Sequence, residues 1–366
     1  MSILFFIYFS TLLSLSTAKI STNASLALHL ERAFPHQAVT LHQLHTHDRK
    51  RVKRHIPLGT NATGPAFGIP DSMLYFTTIT LGTPGIDFNV DVDTGSDLTW
   101  SLHTFNPFTS STAATVDCGE PYCDLKYYHS GIRCSDETDQ CIFSGPYDYR
   151  SEISIIFYAD LMRIPVVFGN LTVTTSSTPV IFGCANNIVG DLTDTRKATD
   201  GVIGLRPKDT SVVSQLESRG LIPRVISHCL KGDGNGGGIL VFGELVEPHM
   251  AYTPMVSRTE YSGEMNGITV NGQMLPIDPF VFTMDNIKEP FFTRELRWHT
   301  LLMRHMTNYL GSKPEDFPVI SFDFVGGSMM LKPQDYLVDR RNLNDNTELW
   351  CVGIRRTEVK GTIIIG

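Results

Sequence analysis

The chain has 366 residues, 42% hydrophobic, 10% aromatic and 19% charged, which is enough apolar material for the core of one or two domains and excludes disorder. Thirty Gly and 20 Pro supply many turning points, and the low charge fraction argues against a charged helical bundle or coiled coil, so a β-rich plan is expected. The net charge of −8 is uneven: residues 19–68 carry seven Lys/Arg against two acids, and residues 69–366 carry 23 against 36. An anionic body without a basic stripe excludes nucleic acid as a partner.

In chain order, the first segment is the apolar run 3–15 followed by the small residues Ser16-Thr17-Ala18, which predicts a signal peptide over residues 1–18. The run is too short to span a bilayer, and no second long apolar run exists, so no membrane span is expected. Residues 19–68 read as a propeptide-like basic segment. They hold His29, His36, His42, His45, His47 and His55, together with the basic run 49–54. A cationic leader is held electrostatically by an anionic body, and histidines that gain charge on acidification alter that contact.

From residue 74 the pattern has period two. A strand over 74–81, a turn at 82–85 and a strand over 88–92 form a hairpin leading into Asp93-Thr94-Gly95-Ser96. Further strands are predicted at 179–184, 201–205, 239–242, 267–270 and 319–324. One helix is predicted at 211–218, where Val212, Val213 and Leu216 share a face. Residues 232–237 satisfy G-x-G-x-x-G, but they lead into a strand and not a helix, so they read as a turn and not a dinucleotide loop. The stretch 289–310, rich in Phe, Leu, Met and Arg, predicts an amphipathic packing helix.

Seven cysteines and the sequons at Asn23, Asn61 and Asn170 fit an oxidising, secretory route. Cys118, Cys123, Cys134 and Cys141 read as small disulfide-stapled loops, Cys184 and Cys229 as a third bridge, and Cys351 is left alone. The spacings match no common zinc finger, and no metal or other cofactor is expected.

The most specific chemical signal is Asp93-Thr94-Gly95-Ser96 after an alternating strand. The glycine permits a tight turn that presents the Asp93 carboxylate, and the Thr94 and Ser96 hydroxyls are available to hydrogen-bond around it, which is the equipment of acid–base hydrolysis. There is no G-x-S-x-G elbow and no H-E-x-x-H motif to support a rival hydrolase.

These residues, with Leu81-Gly82-Thr83-Pro84, Asp97-Leu98-Thr99-Trp100, Asp200-Gly201-Val202-Ile203-Gly204-Leu205, Ser211-Val212-Val213-Ser214-Gln215-Leu216 and Ser227-His228-Cys229-Leu230, form a colinear set. That set resembles the pepsin-like aspartic proteases, most closely the plant secreted, nepenthesin-like type. The resemblance runs from about residue 73 to residue 366. It implies an all-β, bilobal pepsin-like acid protease fold, with an N-terminal lobe over 69–245 and a C-terminal lobe over 246–366. It also implies a monomer that acts on peptide or protein substrates in the secretory pathway, outside the cell, in the cell wall or in the vacuole. By the same resemblance Asp93 is a catalytic residue, Thr94, Gly95, Ser96 and Gly204 support its loop, and Tyr147 stands at the flap.

The C-terminal lobe departs from the family pattern. No Asp-Thr-Gly or Asp-Ser-Gly follows Asp93, and the family position of the second catalytic Asp reads Thr283-Met284-Asp285-Asn286-Ile287. Asp285 is a poor surrogate because Asn286 and Ile287 do not reproduce the glycine turn. Ile364-Ile365-Gly366 matches the other half of the lobe's motif, and the closing strands the family places after it are absent here, so an incomplete C-terminal lobe is expected, with the family partner of Cys351 in the lost stretch. The flap is altered too: Tyr147 is followed by Asp148-Tyr149-Arg150-Ser151 in place of a glycine-rich turn.

Two carboxylates that share one proton divide the work, one activating water while the other protonates the scissile carbonyl, and a single carboxylate does not hold both roles at once. The sequence therefore supports an aspartic-type endopeptidase with Asp93 as the evident half of its dyad. The alternatives are a catalytically inactive relative that binds peptide or protein, and a truncated or mis-spliced product.

Overall fold

The computed structural model describes residues 3–5, 19–20, 25–32, 75–101, 105–124, 131–148, 151–167, 173–190, 200–230, 238–246, 250–277, 282, 302–303, 306, 313–339, 350–352 and 354. In chain order the strands are β1 (Ile3–Phe5), β2 (Lys19–Ile20), β3 (Ser25–Arg32), β4 (Tyr75–Leu81), β5 (Ile86–Asp93), β6 (Trp100–Ser101), β7 (Ala114–Thr115), β8 (Ile132–Cys134), β9 (Cys141–Asp148), β10 (Ser151–Val167) and β11 (Val173–Gly190). They continue as β12 (Gly201–Gly204), β13 (Ile226–Leu230), β14 (Gly238–Phe242), β15 (Leu245–Val246), β16 (Tyr252–Pro254), β17 (Met265–Val270), β18 (Gln273–Met274), β19 (Ile320–Phe324), β20 (Gly327–Leu331), β21 (Leu337–Asp339) and β22 (Trp350–Val352). The helices whose full extent is described are short: α1 (Pro121–Asp124), α2 (Val212–Ser218) and α3 (Pro333–Tyr336).

The chain divides into two compact units, Ser16–Glu247 and Met1–Leu15 with Pro248–Gly366. The first is built on one 12-stranded sheet in which β13, β14, β3, β4, β5, β12, β6, β11, β10, β9 and β8 follow one another, with β7 added against β10. Period-two burial drives the hairpin β4–β5: Thr77, Ile79, Leu81, Phe88 and Val90 turn inward while alternate residues face out. The sheet curls because β10, 17 residues long, pairs along one edge with β9, β7, β4 and β3 in turn and along the other with β11. β12 reads as a continuous buried run, Gly-Val-Ile-Gly, because it runs parallel to β5 on one side and antiparallel to β6 on the other.

The predicted helix forms as α2. Ser211 caps it, its Oγ accepting from the Ser214 N–H at 3.2 Å. Gln215 fastens α2 to the sheet: its Oε1 accepts from the Ile181 N–H at 2.7 Å and its Nε2 donates to the Ile181 carbonyl at 2.9 Å.

The cysteine cluster forms Cys118–Cys134 and Cys123–Cys141, with Cα separations of 5.3 and 5.5 Å. The loops closed are 16 and 18 residues, each worth about 3 kcal/mol in chain entropy. The expected Cys184–Cys229 bridge does not form, and both thiols are free. Cys184 packs against the core on β11, whereas Cys229 is exposed on β13, a strand that does not pair with β11.

The stretches expected to be leader also form strands. Lys19–Ile20 pairs with β15, and Ser25–Arg32 enters the main sheet between β14 and β4, with Leu28 buried in its core. The basic and histidine-rich composition of 19–68 masks a strand signal, the alternation of Leu26, Leu28 and Leu30.

In the second unit, β1 pairs with β16, and β18, β17, β19 and β20 form an antiparallel four-stranded sheet. Ile268, Val270, Ile320, Phe322 and Tyr336 form its core together with Leu302 and Met306. Leu302, Met303 and Met306 are the described residues of the predicted 289–310 helix; they are helical, and Leu302 and Met306 lie four apart on its buried face. The rest of that stretch, the G-x-G-x-x-G segment 232–237 and the sequon asparagines Asn23, Asn61 and Asn170 lie outside the described residues.

Candidate active site

Asp93 is the last residue of β5, directly opposite Gly204 in the parallel pairing with β12. There the chain leaves the sheet through Thr94 and Gly95, both exposed, so the carboxylate stands at a strand end and not on a sheet face. Both carboxylate oxygens accept hydrogen bonds: Oδ1 from the Gly95 N–H at 2.8 Å, and Oδ2 from the Ser96 hydroxyl at 2.6 Å. These two bonds fix the plane of the carboxylate relative to the turn.

The crossing strand holds the turn from behind. The Leu205 N–H donates to the Asp93 carbonyl at 2.8 Å, the Arg206 N–H to the Ser96 carbonyl at 2.9 Å, and the Gly204 N–H to the Thr99 hydroxyl at 3.2 Å. Gly204 is required by packing. A Cβ there would lie 2.5 Å from the Asp97 carbonyl carbon and 2.6 and 2.7 Å from Leu98 backbone atoms, closer than any real contact.

Beneath the loop lies a second carboxylate. Asp97 is buried, accepts from the Thr210 hydroxyl, and faces the Lys208 ammonium at 3.7 Å. Burial and the charge of Asp97 push the Tyr122 hydroxyl upward, keeping it a proton donor, and it donates to the Thr210 carbonyl at 3.4 Å. Asp97 belongs to the motif block read from sequence, but its pairing with Lys208 and Thr210 was not legible there, because more than a hundred residues separate them in the chain.

Asp93, Thr94, Gly95, Ser96 and Gly204 are thus brought to one place. Tyr147 is not so placed by any described atom. Its backbone lies in β9 at an irregularity, with Pro146 opposite Glu152 and Asp148 opposite Ser151, so Tyr147 is the extra residue of a bulge. Its side chain lies outside the described residues, as does Asp285. Cys118, Cys134 and Asp139 converge within 4.8 Å, but the two sulfurs are bonded to each other and are not thiolate ligands. Among the described residues no helix is long and apolar enough to cross a membrane.

Comparison with known proteins defines the class. The solved structures of basic 7S globulin from soybean and of edgp superimpose with TM-scores of 0.59 and 0.61, each over 91% of this chain and 85% and 86% of their own, at 15% identity, showing the same pepsin-like, two-lobed β fold. A family model described as xylanase inhibitor N-terminal matches residues 75–244, the span that holds the Asp93 loop. Aspartic proteinase 36 of Arabidopsis thaliana is 30% identical over 361 residues, covering 86% of this chain and 72% of its own. Aspartic proteinase 39 of the same plant is 27% identical over 379 residues, covering 90% and 76%. The chain belongs to the pepsin-like aspartic protease family of plants.

Proposed function

We propose that this protein is an aspartic-type endopeptidase of the secretory route, with residues 1–18 as its signal peptide and Asp93 as the carboxylate that orients and deprotonates the attacking water. The observation that carries the reading is the Asp93 cradle. Its carboxylate is presented at a strand end, both oxygens are aimed by hydrogen bonds, and the loop behind it is locked by β12. A base held in that way abstracts a proton from water lying on its open side, and Thr94 and Gly95, being exposed, leave that side accessible to an extended peptide.

The reaction also needs an acid that protonates the carbonyl and later the leaving amine. No Asp-Thr-Gly or Asp-Ser-Gly follows Asp93 to supply it. The loss of one general acid costs about 10²–10⁴ in rate, so turnover is expected to be slow by that factor relative to a two-carboxylate relative. The same observation favours a second reading, a relative that binds peptide or protein beside Asp93 without cleaving it. The description of the matching family model, xylanase inhibitor N-terminal, names an inhibitor and not a protease.

The deciding experiment incubates the full chain with a peptide library at acidic pH, with and without pepstatin, and follows products by mass spectrometry. Slow cleavage abolished by pepstatin supports the endopeptidase. Saturable peptide binding in calorimetry with no product over days supports the binding protein.

A further inference from the structure

We infer that Asp97 and Lys208 are positioning residues for the Asp93 loop: their buried ion pair sets the Ser96–Asp97 peptide, and through it the Ser96 hydroxyl that aims the Asp93 carboxylate. The consequence for rate rests on the proposed role of Asp93 as a base; the consequence for placement does not.

Asp97 follows Ser96 directly and is 3% exposed. Its Oδ1 lies 3.7 Å from the Lys208 ammonium, and its Oδ2 accepts from the Thr210 hydroxyl, so both carboxylate oxygens are engaged beneath the loop. Lys208 and Thr210 belong to the segment that follows β12, where the Leu205 and Arg206 amides donate to the Asp93 and Ser96 carbonyls at 2.8 and 2.9 Å. That segment is itself fastened to the start of α2. The Ser211 N–H and the Ser214 hydroxyl donate to the Lys208 carbonyl at 3.0 and 2.7 Å, and Gln215 Nε2 donates to the Thr210 carbonyl at 3.2 Å. The acid next to Lys208, Asp209, faces the Arg224 guanidinium at 3.2 Å.

A buried ion pair is a poor source of net stability, because the cost of taking both charges out of water offsets their attraction. What this pair supplies is geometry. The two amides hold the loop backbone at Asp93 and Ser96, and the Asp97 side chain adds a third point just beyond Ser96. With that point fixed, the Ser96 hydroxyl stays 2.6 Å from Asp93 Oδ2. Without it the Ser96–Asp97 peptide is free to turn, and a displacement of about 1 Å at a reacting group costs on the order of 10²-fold in rate.

Amide exchange on the full chain, read residue by residue, and steady-state peptide cleavage test the inference. Lys208→Met is expected to speed exchange of the Gly95, Leu205 and Arg206 amides at least about tenfold while β4 and β10 stay unchanged, and to lower kcat at least about tenfold with KM within about twofold. Lys208→Arg keeps the charge and is expected to restore both. Because the pair acts as a unit, Asp97→Asn combined with Lys208→Met is expected to be no worse than the worse single variant. If Asp97→Asn does not accumulate, Lys208→Met carries the test alone, since that side chain is 19% exposed and its replacement leaves the core intact.

Unaltered exchange at the three amides in Lys208→Met overturns the inference. Faster exchange throughout the first unit also overturns it, since the pair would then serve the whole fold and not the loop. Faster local exchange with unchanged kcat overturns it too, because the placement of Ser96 would not reach Asp93. If the parent itself cleaves no peptide, the proposed role of Asp93 as a base fails, while the exchange of the three amides still decides whether the pair positions the loop.

Discussion

Each of the two units holds a carboxylate that accepts from a neighbouring hydroxyl, and the backbone places the two differently. Asp93 ends β5, where a glycine turn takes the chain out of the sheet, and its oxygens accept from Gly95 and Ser96. Asp323 lies inside β19, flanked by β17 and β20, and accepts from the Thr269 and Ser321 hydroxyls. The donors are neutral in both cases, an amide and a hydroxyl on Asp93 and two hydroxyls on Asp323. A strand end next to a tight turn can present a carboxylate to a substrate backbone, whereas a mid-strand carboxylate is surrounded by its cross-strand neighbours and serves the sheet. A hydroxyl cradle alone is therefore no sign of catalysis; its position on the strand is what distinguishes the two.

The sharpest way to break this comparison is to remove each carboxylate's charge in turn. Asp93→Asn keeps the shape of the side chain and is expected to lower pepstatin-sensitive kcat/KM by about 10²–10⁴, the contribution of a general base. Asp323→Asn is expected to leave it within about twofold. An equal loss in both variants would refute the distinction.

A smaller effect separates the glycines of the two units. Gly204→Ala forces a Cβ into the backbone of Asp97 and Leu98, so about 1–3 kcal/mol of stability is expected to be lost, together with the alignment of the Asp93 loop. Gly267 on β17 is buried as well, but a Cβ there would meet Met274 side-chain atoms no nearer than 3.5 Å. Gly267→Ala is therefore expected to stay within about 0.5 kcal/mol of the parent. Urea midpoints of the two variants measure the difference, and equal midpoints would show that the β12–loop contact is not tight.

The same contrast explains what was legible in the sequence. The hairpin β4–β5, the all-buried β12, and α2 with its Ser211 cap were readable because local pattern and tertiary place agree: alternation for a half-buried hairpin, continuous apolar residues for an interior parallel strand, a capping hydroxyl for a helix start. The length of β10 and β11 was not, since no local signal tells a 17-residue strand that it will serve four neighbours along one edge. The role of Ser25–Arg32 was hidden for a related reason, because its composition described a leader while its alternation described a strand. Cys184 and Cys229 show the limit of counting cysteines: parity pairs them, and the fold puts them on β11 and β13, strands that do not pair. In the site, Asp93, Gly95, Ser96 and Gly204 follow from one motif and its crossing strand, while Lys208 and Thr210 reach Asp97 only through the folded chain.

The smallest effect concerns pH and the second unit's carboxylate. Burial pushes the Asp323 carboxyl upward, but the hydroxyls of Thr269, Ser321 and Ser328 outweigh it and hold the group below its ordinary value of 3.8. The unfolded chain therefore binds this proton more readily than the folded one, so the contribution is fully present above about pH 4 and is lost as pH falls through the folded value. Thr269→Val removes one hydroxyl while keeping a β-branched residue in the strand. Because water reaches Asp323, the expected loss is modest, about 0.5 kcal/mol at pH 7, and it should shrink as pH falls below the folded value and the carboxyl becomes protonated in both states. Thermal unfolding of parent and variant across pH 2–7 reads it. A difference that persists unchanged at the acid end would mean that Thr269 stabilises β17 by packing, and that the hydroxyl cradle of the second unit contributes nothing through the charge of Asp323.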